Sequence, residues 1–404
     1  MENQTICLNM IVKNEEDIII NTLTNLIEKM PIHYWVICDT GSTDNTRDLI
    51  KTFFKEKDIS GELIDDPWQD FAYNRTRALE FAYKKTDFIF IFDADDRIVG
   101  NVTLPILEKK CAYRMQFGHA VQWKRMPLLC NHTKWYYEGV MHELIGTKEK
   151  YFLRNIIGDY HIATNVEISD RNKKGTKKFY DDALILEKAY TKGDHLQARY
   201  GFYAAECFRF AGKEYWNKSI EWYKKCINEK KQWEQEKYWS CYQLGKMYYE
   251  LKEPEKSIYY LYKSYNYDTS RREAFYEIIV KCREENNFKE GERVYNMLTD
   301  CNEKDKVNKL FMINHLYEHS IYSEMAIIYY YLNKHDKCIE MFKNLFMANH
   351  TIPVYINMTT HNLNLYIPHI DKNDWEFYGK FIRYTKKFKI DPILINKLNK
   401  LFID

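Results

Sequence analysis

A chain of 404 residues is too long for one ordinary domain and long enough for two. Its formal charge of +2 supplies no electrostatic footprint for nucleic acid or an anionic membrane surface. No stretch has the length of a membrane-spanning helix, and the first residues lack a basic-then-apolar leader. The ten cysteines include no Cys-x-x-Cys pair, so buried thiols in a cytoplasmic protein are expected.

The first 160 residues alternate between two periods. Residues 6–12 are apolar and short, which predicts a strand, and residues 16–29 follow with Ile19, Leu23, Leu26 and Ile27 at helical spacing. A strand over 34–38, a helix over 44–55 and a short strand over 61–64 come next. A helix over 71–84 then leads into the apolar run 88–92. Strands alternating with helices of this length predict a parallel sheet covered on both faces. From Ala112 to Leu129 the pattern is irregular and aromatic, as in an extension that faces substrate.

From Lys177 onward the signal is helical. Small residues of successive helix pairs fall in register at Ser219, Ser257, Gly291 and Cys338, which are 38, 34 and 47 residues apart. Twelve positions before each stand Cys207, Gly245, Ile279 and Ala326, and four after each stand Tyr223, Leu261, Tyr295 and Phe342. A generic helical bundle would also be helical throughout, but it has no need of this register. The expected division is therefore an α/β domain over 1–170 and a helical repeat domain over 171–404.

Polar segments follow the predicted strands. Lys13-Asn14-Glu15-Glu16 leaves the first and can hydrogen-bond a base or ribose. Asp39-Thr40-Gly41-Ser42-Thr43-Asp44 leaves the second, where Gly41 permits a tight turn and Ser42 to Asp44 can cap the next helix. Asp39 stands where the sheet opens, and its carboxylate can accept from a uracil imide or a ribose hydroxyl. Arg75, on the third helix, can pair with aspartates or hold a diphosphate. Asp93-Ala94-Asp95-Asp96 ends the fourth strand, and two aspartates one residue apart can share a hard, oxygen-seeking cation with phosphate oxygens. Further on, Trp135 to Glu143 holds two carboxylates, a glycine and a histidine. Trp123, Trp135, Tyr136 and Tyr137 suit either sugar stacking or an aromatic core.

The ordered set Met10-Ile11-Val12-Lys13-Asn14-Glu15-Glu16, then Asp39 to Thr46, then Phe92-Asp93-Ala94-Asp95-Asp96 resembles glycosyltransferase family 2. It is similar in particular to the subgroup that appends tetratricopeptide-like helices, as in bacterial peptide S-glycosyltransferases; the repeat register resembles the tetratricopeptide repeat. The resemblance implies a GT-A nucleotide-sugar-binding domain followed by an all-α repeat domain. It implies an inverting, divalent-metal-dependent transfer from a nucleotide sugar, UDP-linked, to a peptide, protein or glycan. Asn14, Glu15, Asp39, Arg75, Asp93 and Asp95 would then contact the donor, and Asp95 with His161 would hold Mn²⁺ or Mg²⁺. Glu143, in Gly139-Val140-Met141-His142-Glu143, would be the base, with Glu138 as substitute. A homodimer through the helical domain is a further expectation, with no membrane anchor.

Other readings fit less well. A haloacid-dehalogenase-like phosphatase wants Thr or Val two residues past its second Asp and places the motif after its first strand. A nucleotidyltransferase wants a basic, glycine-rich loop where Asn14-Glu15-Glu16 is acidic. A helical-repeat scaffold with a non-catalytic transferase-like domain is the non-enzyme alternative; against it, every expected acidic position is filled.

Overall fold

The computed structural model describes residues 4–164, 175–299, 309–347 and 353–403. They divide into two compact units, Met1–Gln232 and Trp233–Asp404. The boundary expected at residue 170 lies outside the described residues.

In the first unit β1 (Ile6–Val12), β2 (Tyr34–Asp39), β3 (Gly61–Asp65) and β4 (Phe88–Ile91) are joined by α1 (Ile19–Lys29), α2 (Thr46–Glu56) and α3 (Phe71–Ala82). These are followed by β5 (Arg97–Gly100), β6 (Cys111–Phe117) and β7 (Val121–Cys130). The short pair β8 (Tyr136–Glu138) and β9 (Leu144–Gly146) stands off the main sheet, and β10 (Phe152–Asn155) and β11 (Tyr160–Ala163) return to it. The order across the sheet is β3-β2-β1-β4-β7-β6-β11-β5, with β10 on β6. The chain steps outward from β1 to β3 and comes back on the other side of β1 as β4. That reversal leaves a crevice at the carboxyl ends of β1 and β4, where open α/β sheets bind ligands.

Neighbouring residues in each central strand go to opposite faces. Leu8, Ile37 and Phe90 join one core with Phe54 and Ile50. Cys7, Val36 and Ile89 join another with Leu79, Leu129 and Trp135. Strands buried on both sides need continuous apolar runs, which is why 6–12 and 88–92 show no alternation. Nine cysteines are buried thiols, and Cys301 lies outside the described residues.

Two expectations change. The sheet is mixed, because β7 runs antiparallel to both β4 and β6. The stretch 112–129, expected to be irregular, is the β6–β7 hairpin. Its alternation is hidden by a bulge between Tyr113 and Met115 and by the exposed first half of β7. Its turn rests on Gly118 (φ +71°), where a Cβ would lie 2.0 Å from the Val121 carbonyl oxygen.

Three helices complete the first unit: α4 (Lys177–Lys192), α5 (Gln197–Ala211) and α6 (Trp216–Asn228). The second unit contains α7 (Glu234–Glu250), α8 (Pro254–Tyr265), α9 (Glu273–Glu284) and α10 (Phe288–Tyr295). It continues with α11 (Ile321–Tyr331), α12 (His335–Met347), α13 (Pro353–Tyr366), α14 (Trp375–Lys387) and α15 (Pro392–Ile403). The register found in the sequence falls on the pairs α5/α6, α7/α8, α9/α10 and α11/α12. Its small residues are buried at the crossings: the Ser219 hydroxyl donates to the Ala205 carbonyl at 2.8 Å. A Cβ on Gly245 would lie 2.6 Å from the Leu261 side chain, and one on Gly291 would lie 2.8 Å from Ile328. A bare glycine is needed wherever two helices approach this closely. The helices are tetratricopeptide-like in this physical sense.

Replacing Gly245 with Val should push α8 off α7. The expected cost is about 1–3 kcal/mol, as for overpacked cores, and a denaturant titration followed by helical circular dichroism checks it.

Candidate active site

The exits of β1 and β2 are laced together. Asn14, held at φ +54°, donates its amide to the Ser42 hydroxyl at 2.9 Å and accepts from the Thr43 amide at 2.8 Å through Oδ1. The Glu15 amide donates to the Thr46 hydroxyl at 2.8 Å. The Glu16 carboxylate accepts from the Asn45 amide at 3.0 Å, which holds residues 15–18 as a turn and delays α1 to Ile19. Ser42 caps no helix; Asp44 accepts from the Thr46 amide at 3.1 Å instead.

Asp39 is wholly buried at the end of β2. Its Oδ1 accepts from the Gly41 and Ser42 amides at 3.0 and 2.9 Å and lies 3.4 Å from Arg47. Gly41, at φ +107°, makes that turn possible. Oδ2 is buried too, with no hydrogen-bond partner among the described residues. A buried carboxylate oxygen left unpaired costs about 1–3 kcal/mol or more, so such an atom marks a place built for an incoming donor.

The second cluster lies beyond β4. α3 is seated by two buried asparagines: Asn9 of β1 donates to the Ala78 carbonyl at 2.8 Å, and Asn74 donates to the Asp66 carboxylate at 2.8 Å. This fixes Arg75, whose Nη2 donates to Asp93 Oδ1 at 2.7 Å while its Nε lies 2.7 Å from Glu143 Oε1. Its guanidinium also stands 5.7 Å from the Tyr137 ring centroid. Burial works against the charge on Arg75, but Asp93 and Glu143 more than offset it and raise its pKa. Burial likewise works against the Asp93 carboxylate, and Arg75 with Arg125 holds it below the ordinary aspartate range. Arg125 of β7 lies 3.7 Å from Asp93 Oδ2; it carries no signal in the sequence because the bulge in the β6–β7 hairpin erases the strand alternation around it.

Asp95 is half-buried in the turn that follows. Asp96 is buried, and its carboxyl is pushed well above the ordinary range by that burial and by its neighbours Asp93 and Asp95. The site carries more negative charge than Arg75 and Arg125 relieve, and an all-oxygen donor set of this kind fits Mg²⁺ or Mn²⁺. His161 is placed by the β5–β11 pairing opposite Val99, with its ring 5.1 Å from that of His119. Burial and His119 lower its pKa below 6.5, which favours the neutral imidazole. Among the described residues no three His, Cys, Asp or Glu side chains converge as a ready-made metal site.

Glu138 pairs with His195 Nε2 at 3.0 Å, while Glu143 is nine-tenths buried beside Arg75. Trp135 is core, its indole donating to the Cys130 carbonyl at 2.9 Å. The structure therefore brings Arg75, Asp93 and Glu143 into one contact network, and Asn14, Glu15 and Asp39 into the interlaced loops beside it.

Residues 7–162 match the model of glycosyl transferase family 2, and this segment is a glycosyltransferase domain of that kind. Among curated proteins none matches. Among solved structures, MamA is 19% identical, with 43% of this chain and 90% of that one covered at a TM-score of 0.29. S. aureus TarS 1–349 is 11% identical, with 63% and 89% covered at 0.31.

Substituting Arg75 by Met should strand the Asp93 and Glu143 carboxylates together. The expected loss is about 3 kcal/mol, the scale for removing one partner of a buried pair. Chemical denaturation of the ligand-free protein measures it, and adding Glu143→Gln should recover part of the loss.

Proposed function

We propose that the protein is an inverting, divalent-metal-dependent hexosyltransferase that moves a sugar from a UDP-sugar to a peptide, protein or glycan. The observation that carries this reading is Arg75 held between Asp93 and Glu143. One guanidinium ties the acidic motif of the donor side to the candidate base of the acceptor side, so both halves of the reaction meet within a few ångströms.

In this reading Asp39 Oδ2 accepts from the uracil imide, and the Asn14 and Glu15 loops flank the nucleoside. Asp93 and the Nη1 end of Arg75 face the ribose and diphosphate. Asp95 is the protein ligand of the cation, and His161, already biased to its neutral form, is the second. A bound Mg²⁺ or Mn²⁺ would supply charge neutralisation on the departing diphosphate. Glu143 takes the acceptor proton as the acceptor atom bonds to the anomeric carbon and the bond to the diphosphate oxygen breaks on the opposite face. Arg75, 2.7 Å from Glu143 Oε1, keeps that carboxylate aimed.

The helical repeats, expected to begin beyond residue 170, would recognise the acceptor or mediate a homodimer. No described helix is long and apolar enough to cross a membrane, and we assign the enzyme to the cytoplasm.

Calorimetry with UDP is expected to show binding that requires Mn²⁺ and is lost in Asp95→Ala. His161→Ala should weaken the metal dependence without abolishing UDP binding. UDP affinity that is indifferent to Mn²⁺ would sink the metal assignment. Glu143→Gln should leave UDP affinity unchanged and lower turnover of the UDP-sugar by roughly 10²-fold or more; full turnover would transfer the role to Glu138.

A further inference from the structure

Segment 138–143 carries both carboxylates considered as base, and it is gripped along its length by α5 and the turn before it. Glu138 meets His195 at one end. The Tyr200 hydroxyl, which a Cβ on Gly139 would approach to 3.7 Å, donates to Asp194 at 3.2 Å. A Cβ on Gly139 would lie 3.2 Å from Leu196. At the other end Arg199 Nε donates to the His142 carbonyl at 2.9 Å. The Tyr203 ring stacks on His142 with centroids 3.9 Å apart and planes 12° from parallel, and the Arg199 guanidinium lies 4.7 Å over Tyr203.

His142 needs this grip. It sits at φ +51°, a left-handed conformation that a residue with a Cβ adopts at a cost of about 1–2 kcal/mol. The imidazole is exposed, so no core packing secures it. The peptide that follows His142 sets the direction of the Glu143 side chain towards Arg75. A relaxation of φ at His142 would therefore turn Glu143 away from both Arg75 and the acceptor.

We propose that Tyr203 and Arg199 are positioning residues for the transfer: they hold His142 in its left-handed conformation and thereby aim Glu143. This rests on Glu143 being the base. α5 is also the first helix of the repeat register, so the backbone that carries the base is held by the helical part of the chain as well as by Arg75 of the α/β domain.

The test compares wild type, Tyr203→Ala, Tyr203→Phe and Glu143→Gln with UDP-GlcNAc, Mn²⁺ and water as acceptor, together with hydrogen exchange of the 139–143 amides. Tyr203→Ala should speed exchange in that segment and lower kcat by about 10-fold or more, the scale of a misplaced catalytic group. Its KM for the donor should stay within about twofold, because the donor contacts lie elsewhere. Tyr203→Phe, which keeps the stacked ring, should restore both. Glu143→Gln should lose turnover with exchange unchanged. Wild-type protection of 139–143 in Tyr203→Ala overturns the proposal, as does a Tyr203→Phe variant no better than Ala. Full turnover by Glu143→Gln overturns the base assignment instead, and exchange then still decides whether Tyr203 holds the segment. Where the wild type leaves UDP-GlcNAc intact, the exchange comparison decides alone.

Discussion

The arrangement beyond β4 depends on one buried cation. Asp93, Asp95, Asp96 and Glu143 would place several carboxylates in a small, poorly hydrated space, and like charges there repel strongly. Arg75 makes the assembly possible by presenting a planar fork to Asp93 and Glu143 at once, a geometry that a lysine ammonium cannot reproduce. Its seating is equally specific, since Asn9 and Asn74 fix α3 through buried hydrogen bonds to the backbone and to Asp66. Polar residues buried so completely are worth their desolvation only when each is satisfied, and these two are.

Arg75 nevertheless leaves the acidic cluster incompletely neutralised. Arg125 approaches Asp93 only to 3.7 Å and from an exposed position, where solvent screens it. Asp96 bears the consequence, its carboxyl driven towards the protonated form by burial and by Asp93 and Asp95. A site of this kind gains from a divalent cation, which relieves the carboxylates directly. Asp39 gives the complementary signal on the far side of β1, where one carboxylate oxygen is saturated by the turn and the other is left unmet.

Much of this was legible from residues alone, and the limits have physical causes. The strands β1, β2 and β4 announce themselves because both faces are buried, and the order of acidic exits follows from topology. The repeat register was visible because Gly245, Ser257 and Gly291 meet a packing demand that recurs at each helix crossing. The β6–β7 hairpin was not visible, since a bulge and a half-exposed strand erase the period of two, and Arg125 was lost with it. The pairing of Arg75 with Glu143 was equally hidden. It joins residues from α3 and the β8–β9 loop that no local pattern relates. The neighbourhood of His161 was hidden too: strand register places its ring beside His119 and its backbone opposite Val99.

The segment proposed to carry the base shows how such a fold can divide its labour. The proposed donor side is built on the sheet, whose central strands are buried. Segment 138–143 instead lies between two short strands outside that sheet, with a glycine and a left-handed histidine in it. Left to itself such a segment samples many conformations, and each ordered residue costs about 1–2 kcal/mol of backbone entropy. The contacts that offset this cost come from His195, Arg199, Tyr200 and Tyr203, all on or just before α5. Of these, Tyr200 is buried in the core, whereas His195, Arg199 and Tyr203 make polar or stacked contacts nearer the surface. If Glu143 is the base, as proposed, α5 both belongs to the repeat register and holds the segment that carries it, so contacts made on the helical repeats can reach that segment through α5, while the carboxylates beyond β4 stay fixed by Arg75.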